Sequence, residues 1–363
     1  MRVGVLGGGQ LARMMALAGH PLGIRCSVLD PAADACAGAV AELIVDAYDS
    51  PDGLDRLARS SDVVTFEFES VPAASAQRLA GHVAVQPPPA ALEVAQDRLH
   101  EKRLFAELGI ETAPFHEIGS QAELDAVSLP GVLKTRRLGY DGKGQRVLRE
   151  AAQLEGAFAA LGEVPMILEG LVEFDRELSI VAVRAGDGEV ACYPLVENHH
   201  REGILRITHA PAQEAGAELQ ELAERYARLV LERLRYVGVL ALELFQVGDR
   251  LLANEMAPRV HNSGHWTIEG AETSQFENHL RAVCGLPLGS PALRMPCTMV
   301  NLIGAAPATA ELAAVARAHV HLYDKAPRPG RKIGHVTVTG DGDWRAIAAM
   351  ADAAGNNGMP QLR

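Results

Sequence analysis

Apolar residues near the start of the chain fall into short runs divided by glycine turns and helical stretches. Arg2-Val3-Gly4-Val5-Leu6 reads as a strand, Gly7-Gly8-Gly9-Gln10 as a tight turn, and Leu11 to Ala18 as a helix. Three further runs, Ile24 to Asp30, Glu42 to Asp46 and Asp62 to Glu69, read as strands of the same lobe. This alternation predicts a doubly wound α/β lobe. Pro87-Pro88-Pro89 breaks it, and a helical segment from Ala91 to Leu108 leads onward, so a first boundary is expected near residue 96.

Further along, Gly131-Val132-Leu133-Lys134, Pro165 to Val172 and Phe174 to Val183 have strand character, and Glu218 to Leu234 carries apolar residues at helical spacing. Val237 to Phe245 is an apolar run whose single charge is Glu243. The turn signal Gly248-Asp249 and a second run, Leu251-Leu252-Ala253, complete a hairpin. A three-residue loop, Gly248 to Arg250, sets Glu243 opposite Glu255 on one sheet face, whereas a two-residue loop sets it opposite Asn254. The tail after about Trp344 carries no motif.

The polar stretch from Asn254 to Trp266 suits neither a buried strand nor a solvated helix, because it packs carboxylate, guanidinium, imidazole and amide groups together. Two facing carboxylates repel unless protonated or bridged by a cation, and hard oxygen donors suit Mg²⁺, or Mn²⁺ in its place. The competing reading is a pair of solvated rim carboxylates, each partnered by Arg259 or a lysine. Gly139, Gly142 and Gly144, with Lys134, Lys143 and Gln145 beside them, can bring backbone N–H groups against a polyphosphate, though a plain hairpin turn has the same composition. Glu67 and Glu69 end a strand where open α/β sheets bind ligands. Asp30 ends the second strand where a dinucleotide fold carries its ribose ligand. Against that reading, Ala12 stands where GxGxxG requires its last glycine.

Composition narrows the classes. The 363 residues suffice for two or three lobes, and the charge of −12 argues against a non-specific nucleic-acid binder while leaving room for a local anion pocket. Cys26, Cys36, Cys192, Cys284 and Cys297 lack CxxC spacing and are expected to be reduced. No stretch reads as a secretory signal or a membrane span, so a cytoplasmic protein is expected.

Lys134, the loop Gly139 to Gln145, Glu169 to Val172, Arg176-Glu177-Leu178-Ser179, Glu243 and Asn254-Glu255 occur in the order of the ATP-grasp superfamily, which the chain resembles. Further motifs are Gly7 to Leu11, Tyr193-Pro194-Leu195, Gly203 to Arg206, Ala257 to Trp266, Tyr323-Asp324-Lys325 and Arg328 to Lys332. Together these look like the N5-carboxyaminoimidazole ribonucleotide synthetase family, ATP-dependent carboxylases of purine synthesis. Many ATP-grasp enzymes carry Asn two residues after the second metal carboxylate. Here that position is Ala257.

The resemblance implies an ATP-grasp fold, α/β and α+β overall, in three parts. These are a Rossmann-like pre-ATP-grasp lobe over 1–96, an ATP-grasp domain over 97–294 with a lid lobe near 112–172, and a β-rich piece over 295–363. It implies carboxylation of 5-aminoimidazole ribonucleotide by bicarbonate and ATP through carboxyphosphate, in a homodimer. ATP is then expected at Arg98, Lys134, Gly139, Gly142, Lys143, Gly144, Gln145, Glu169, Gly170, Leu171, Val172, Glu177, His200, Asn254 and Glu255, with the metal on Glu243 and Glu255. His199, next to His200, is expected to face away. Arg259, His261, Asn262, Tyr140, Asp141 and Lys325 are the expected catalytic groups. The ribonucleotide is expected at Gly8, Gln10, Leu11, Glu67, Glu69, Lys325, Arg331 and Lys332, the last three alternatively forming a solvated turn. His209, His319, His321 and His335 are expected to be structural. The rivals are a formate-using glycinamide ribonucleotide ligase and a nucleotide-sensing protein without turnover.

Overall fold

A computed structural model describes residues 1–139 and 144–355. The first lobe is a five-stranded parallel sheet in the order Glu42–Val45, Arg25–Asp30, Arg2–Leu6, Val63–Phe66, Ala84–Val85. The order reverses between Arg2–Leu6 and Val63–Phe66, which opens a crevice at the carboxyl ends of these strands. Gly7 turns there with φ +106°, and a Cβ on it would lie 2.5 Å from Glu67 Cγ, so only glycine fits.

The helical stretch expected from Ala91 to Leu108 is two helices, Pro89–Ala95 and Arg98–Glu107. Asp97 breaks it. Its carboxylate accepts from Leu99 N at 3.1 Å and from Arg136 Nε and Nη2 at 2.9 and 2.7 Å, an N-cap and a tie to the next lobe at once. That lobe is a four-stranded antiparallel sheet, ordered Phe115–Ile118, Met166–Gly170, Gly131–Thr135, Gln145–Leu148, around Leu133, Leu148, Met166 and Leu168.

The largest sheet is antiparallel and begins with the edge strand Arg250–Ala257, followed by Gly238–Val247, Arg176–Arg184, Val196–Arg201 and Ile204–Ala210. The C-terminal strands Cys297–Ile303, Lys332–Thr339 and Ala318–Leu322 continue this same sheet, joined through Ile207 opposite Val300. The helix Trp344–Gly355, in the stretch without a motif, covers them with Ile347 and Ala351. One apolar core runs from Val3 and Leu11 of the first lobe through Val181 and Ala241 to Met299 and Tyr323. All five cysteines are free, and among the described residues no helix is long and apolar enough to cross a membrane.

Candidate active site

The hairpin reaches the expected pairing by an unexpected route. Val247 pairs with Arg250, so the loop has two residues, Gly248 and Asp249, and not three. Without further adjustment Glu243 would oppose Asn254. A β-bulge at Asn254 shifts the register by one, and Glu243 faces Glu255 after all. Packing explains the bulge: Leu242, Leu244, Leu251, Ala253 and Met256 share one apolar cluster with Tyr226 and Val230 of the helix Ala217–Arg233. An unbroken period of two from Leu251 would send Glu255 into that cluster and Met256 into the cleft, at a cost of several kcal/mol for the unpaired buried carboxylate.

Around this pair the groups converge. His261 Nε2 lies 3.2 Å from Glu243 Oε1; burial opposes ionisation of Glu243, yet the His261 contact together with the charges of His200 and Arg259 outweighs it and holds the carboxyl at about 2. Arg98 Nη1 donates to Glu255 Oε2 at 3.0 Å, and its Nη2 to the Gly139 carbonyl at 3.1 Å. Arg259 Nε donates to Glu69, which reaches over from the first lobe, and Nη1 to the Val260 carbonyl at 3.2 Å. Burial would raise the Glu69 carboxyl, but the guanidinium holds it at about 2. The amide atoms of Asn262 are buried with no hydrogen-bond partner among the described residues. Such groups are costly unless a ligand meets them.

His261 is oriented from behind. Its backbone N–H donates to Gln275 Oε1 at 2.9 Å and its carbonyl accepts from Gln275 Nε2 at 2.6 Å. Its Nδ1 accepts from Ser263 N at 3.3 Å and lies 2.8 Å from Ser263 Oγ, from which a buried relay runs through Ser179 and Asn198 to Thr208. Ser179 lies in one of the motifs that carry the resemblance, whereas Asn198 was not singled out: residues near it in the chain do not show the partners it meets across the sheet.

The residues expected around the nucleotide border the same cleft. Glu169 is buried and binds Lys134 Nζ at 3.1 Å and Lys102 Nζ at 3.3 Å, so its carboxylate is already paired with two lysines. The N–H groups of Gly170 and Leu171 are committed to the carbonyls of Pro114 and Pro130 at 2.8 and 3.2 Å; an adenine edge therefore finds no donor in these two amides. Val172 follows directly, outside the strand Met166–Gly170. His200 Nδ1 meets Glu177 Oε2 at 2.8 Å, and this carboxylate raises the imidazole pKa against the opposing effect of burial. His199 packs edge-on against the His209 ring, 5.3 Å away. Gly144 (φ +70°) and Gln145 resume the chain after the glycine loop. Tyr140, Asp141, Gly142 and Lys143 lie outside the described residues.

A second cavity, of about 470 Å³, opens at the crevice of the first lobe between Gly8, Gly9, Asp30 and Glu67 on one side and Lys325 and Arg331 on the other. Gly8 N donates to Asp30 Oδ2 at 2.8 Å, and Tyr48 Oη to the same oxygen at 2.7 Å. Asp30 therefore ties the glycine loop, and this commitment removes the ribose role of the dinucleotide reading. Glu67 accepts from the N–H groups of Gly9 and Ala12, the latter at 2.9 Å. Its carboxylate ties the loop and also lines the cavity. The Leu11 side chain lies in the core, so a substrate contact there would come from its backbone. Lys325 Nζ donates to Gln10 Oε1 across the cavity, while Lys332, which begins a strand, does not line it. His321 pairs with Glu269 at 2.7 Å and His335 with Tyr323 at 2.6 Å, and neither histidine lines the second cavity.

A pre-ATP-grasp crevice, a cleft between a small antiparallel lobe and a large sheet, and carboxylates with basic groups facing that cleft define an ATP-grasp ligase. Models of three domain families match the chain: the ribonucleotide synthetase preATP-grasp domain over residues 1–96, the ATP-grasp domain over 103–276, and the phosphoribosylaminoimidazole carboxylase C-terminal domain over 297–349. The chain is 57% identical over 342 residues to an N5-carboxyaminoimidazole ribonucleotide synthase of Pseudomonas aeruginosa, covering 93% of this chain and 94% of the relative. It superimposes on the crystal structure of the synthetase from Thermus thermophilus with TM-score 0.93 at 54% identity, covering 99% and 100% of the two chains. The Aspergillus clavatus enzyme, crystallised with ADP and 5-aminoimidazole ribonucleotide, superimposes with TM-score 0.89 at 32% identity over 97% and 98%. The chain belongs to the N5-carboxyaminoimidazole ribonucleotide synthase family.

Proposed function

We propose that the protein carboxylates the exocyclic amine of 5-aminoimidazole ribonucleotide with bicarbonate at the expense of ATP. A bicarbonate oxygen attacks the γ-phosphorus, ADP leaves, and carboxyphosphate forms; the amine then attacks its carbon, or CO₂ released from it, and phosphate departs with the bridging oxygen. The observation that carries this reading is Arg259 and the unpartnered Asn262 amide, set beside two opposed carboxylates. A guanidinium and an amide donor there suit an oxyanion that accumulates charge during transfer.

Glu243 and Glu255 would hold Mg²⁺ or Mn²⁺. Among the described residues no three acidic, imidazole or thiol side chains form a closed metal cage. That donor set fits an ion whose remaining ligands are phosphate oxygens and water. When bound, the ion neutralises triphosphate charge. Lys134 and Arg98 would contact the phosphates, and His200 with Glu177 the ribose. The cavity between Gly8 and Arg331 would take the ribonucleotide, with Arg331 on its 5′-phosphate and Lys325 nearer the transfer site. A homodimer follows from the family resemblance and is checked by light scattering. Five unpaired cysteines support a reducing, cytoplasmic setting.

Labelled bicarbonate tests the route. With ¹⁸O-bicarbonate, ATP and 5-aminoimidazole ribonucleotide, one labelled oxygen is expected in phosphate by mass spectrometry, in an assay quicker than bicarbonate–water exchange. Unlabelled phosphate at the full rate of product formation would refute carboxyphosphate. ADP release with formate in place of bicarbonate separates the formate-using rival.

A further inference from the structure

We propose that Glu101 and Lys102 are positioning residues that clamp the bulge at Asn254 and so hold Glu255 opposite Glu243. The proposal rests on the reading of that pair as the metal carboxylates. The strand Arg250–Ala257 is a sheet edge, so one side of its backbone has no strand partner and must be satisfied otherwise. In a regular strand successive carbonyls point to opposite sides. Here the carbonyls of Ala253 and Asn254 both accept from one ammonium, Lys102 Nζ, at 3.2 and 2.7 Å. Two positions later Met256 N donates to Glu101 Oε1 at 2.6 Å. Adjacent side chains of one helix, Arg98–Glu107, thus grip the backbone on both sides of the bulge.

The chemistry of Lys102 marks it as more than filler. Its side chain is 1% exposed, and its three donors meet three acceptors, the two carbonyls and Glu169 Oε2 at 3.3 Å. A buried ammonium is costly, and a position on the same helix face as buried Phe105 would be filled more cheaply by methionine. What the charge adds is a hold on two carbonyls that the regular register would point apart. Released, the hairpin has a two-residue loop whose natural pairing sets Glu243 opposite Asn254 and turns Glu255 toward the apolar cluster.

Two measurements on the full chain test the clamp. Hydrogen exchange of the metal-free wild type reads the Met256 amide, expected to exchange as slowly as paired amides of the same sheet; exchange at the rate of a free edge overturns the proposal. Mn²⁺ titration followed by electron paramagnetic resonance in the presence of ADP compares wild type, Glu255→Gln and Lys102→Met. Lys102→Met is expected to weaken Mn²⁺ binding about 10- to 100-fold, as loss of a supporting contact behind a metal ligand does, while half-saturation by 5-aminoimidazole ribonucleotide stays unchanged. A folded Lys102→Met with a lower melting temperature and unaltered Mn²⁺ binding has lost only a structural contact, and the proposal fails. If Lys102→Met is insoluble, Lys102→Gln, which keeps a donor too short to reach both carbonyls, gives the same readout. Mn²⁺ binding untouched by Glu255→Gln overturns instead the metal reading on which the clamp depends.

Discussion

The Arg259–Glu69 pair joins the first lobe to the large sheet, and its worth follows from the structure. Glu69 is displaced from 4.5 to about 2, which for a fully buried group is about 3 kcal/mol of interaction. A third of its side chain is exposed, and solvent screening reduces this to about 1–2 kcal/mol. Arg259 also feels Glu255 and Glu243, so Arg259→Met strands Glu69 and removes a positive charge from two further carboxylates, while Glu69→Gln leaves the guanidinium the attraction of both. In urea denaturation at pH 7 with a chelator present, Arg259→Met should therefore cost more than Glu69→Gln, with a coupling of about 1–2 kcal/mol in the double-mutant cycle. The pH dependence has a definite sign. A depressed carboxyl contributes stability that is fully present above its ordinary 4.5 and lost as the pH falls toward about 2, so the coupling should fade over that window. Additive single mutants at pH 7, or a coupling that grows on acidification, would refute the reasoning.

Glu255→Gln removes one charge facing Glu243 and should cut ADP formation by orders of magnitude with an unchanged melting temperature; near-wild-type turnover at saturating Mg²⁺ removes the assignment. Arg331→Ala should raise the half-saturating ribonucleotide concentration by the equivalent of about 1.5–3 kcal/mol with kcat retained, read in steady-state assays, and an unchanged value returns Arg331 to a solvated turn. Gly7→Ala meets both a positive φ and Glu67 Cγ at 2.5 Å, so it should destabilise the first lobe by more than about 1 kcal/mol in thermal unfolding. A fully stable variant would show that the loop can shift away from Glu67.

Much of the architecture was legible because local patterns bear on it directly. Strand and helix periodicity placed Arg2–Leu6, Arg25–Asp30, Gly238–Val247 and Ala217–Arg233 near their observed limits, and the family motifs brought Glu243, Glu255, Arg259 and Lys134 to one cleft. Two signals within the helix Arg98–Glu107 were present but unread. Asp97 is a good N-cap inside an otherwise helical run, and Arg98, Glu101 and Lys102 share a face with buried Phe105, a charged stripe where an apolar one was due.

By itself, then, the sequence determined which segments become strands and helices and which chemical groups crowd the stretch after Asn254, since these depend on residues near one another in the chain. Tertiary structure alone decided the rest. The bulge exists because Met256 must be buried against a helix remote in sequence while Lys102 draws two carbonyls outward. Asp30 and Glu67 became ties of the glycine loop, and Leu11 a core residue, because the first lobe folds back on its own turn. Hydrogen-bond partners and register depend on which backbone arrives from elsewhere, and a one-residue shift that spacing leaves open is closed by the energy of burying one side chain in place of another.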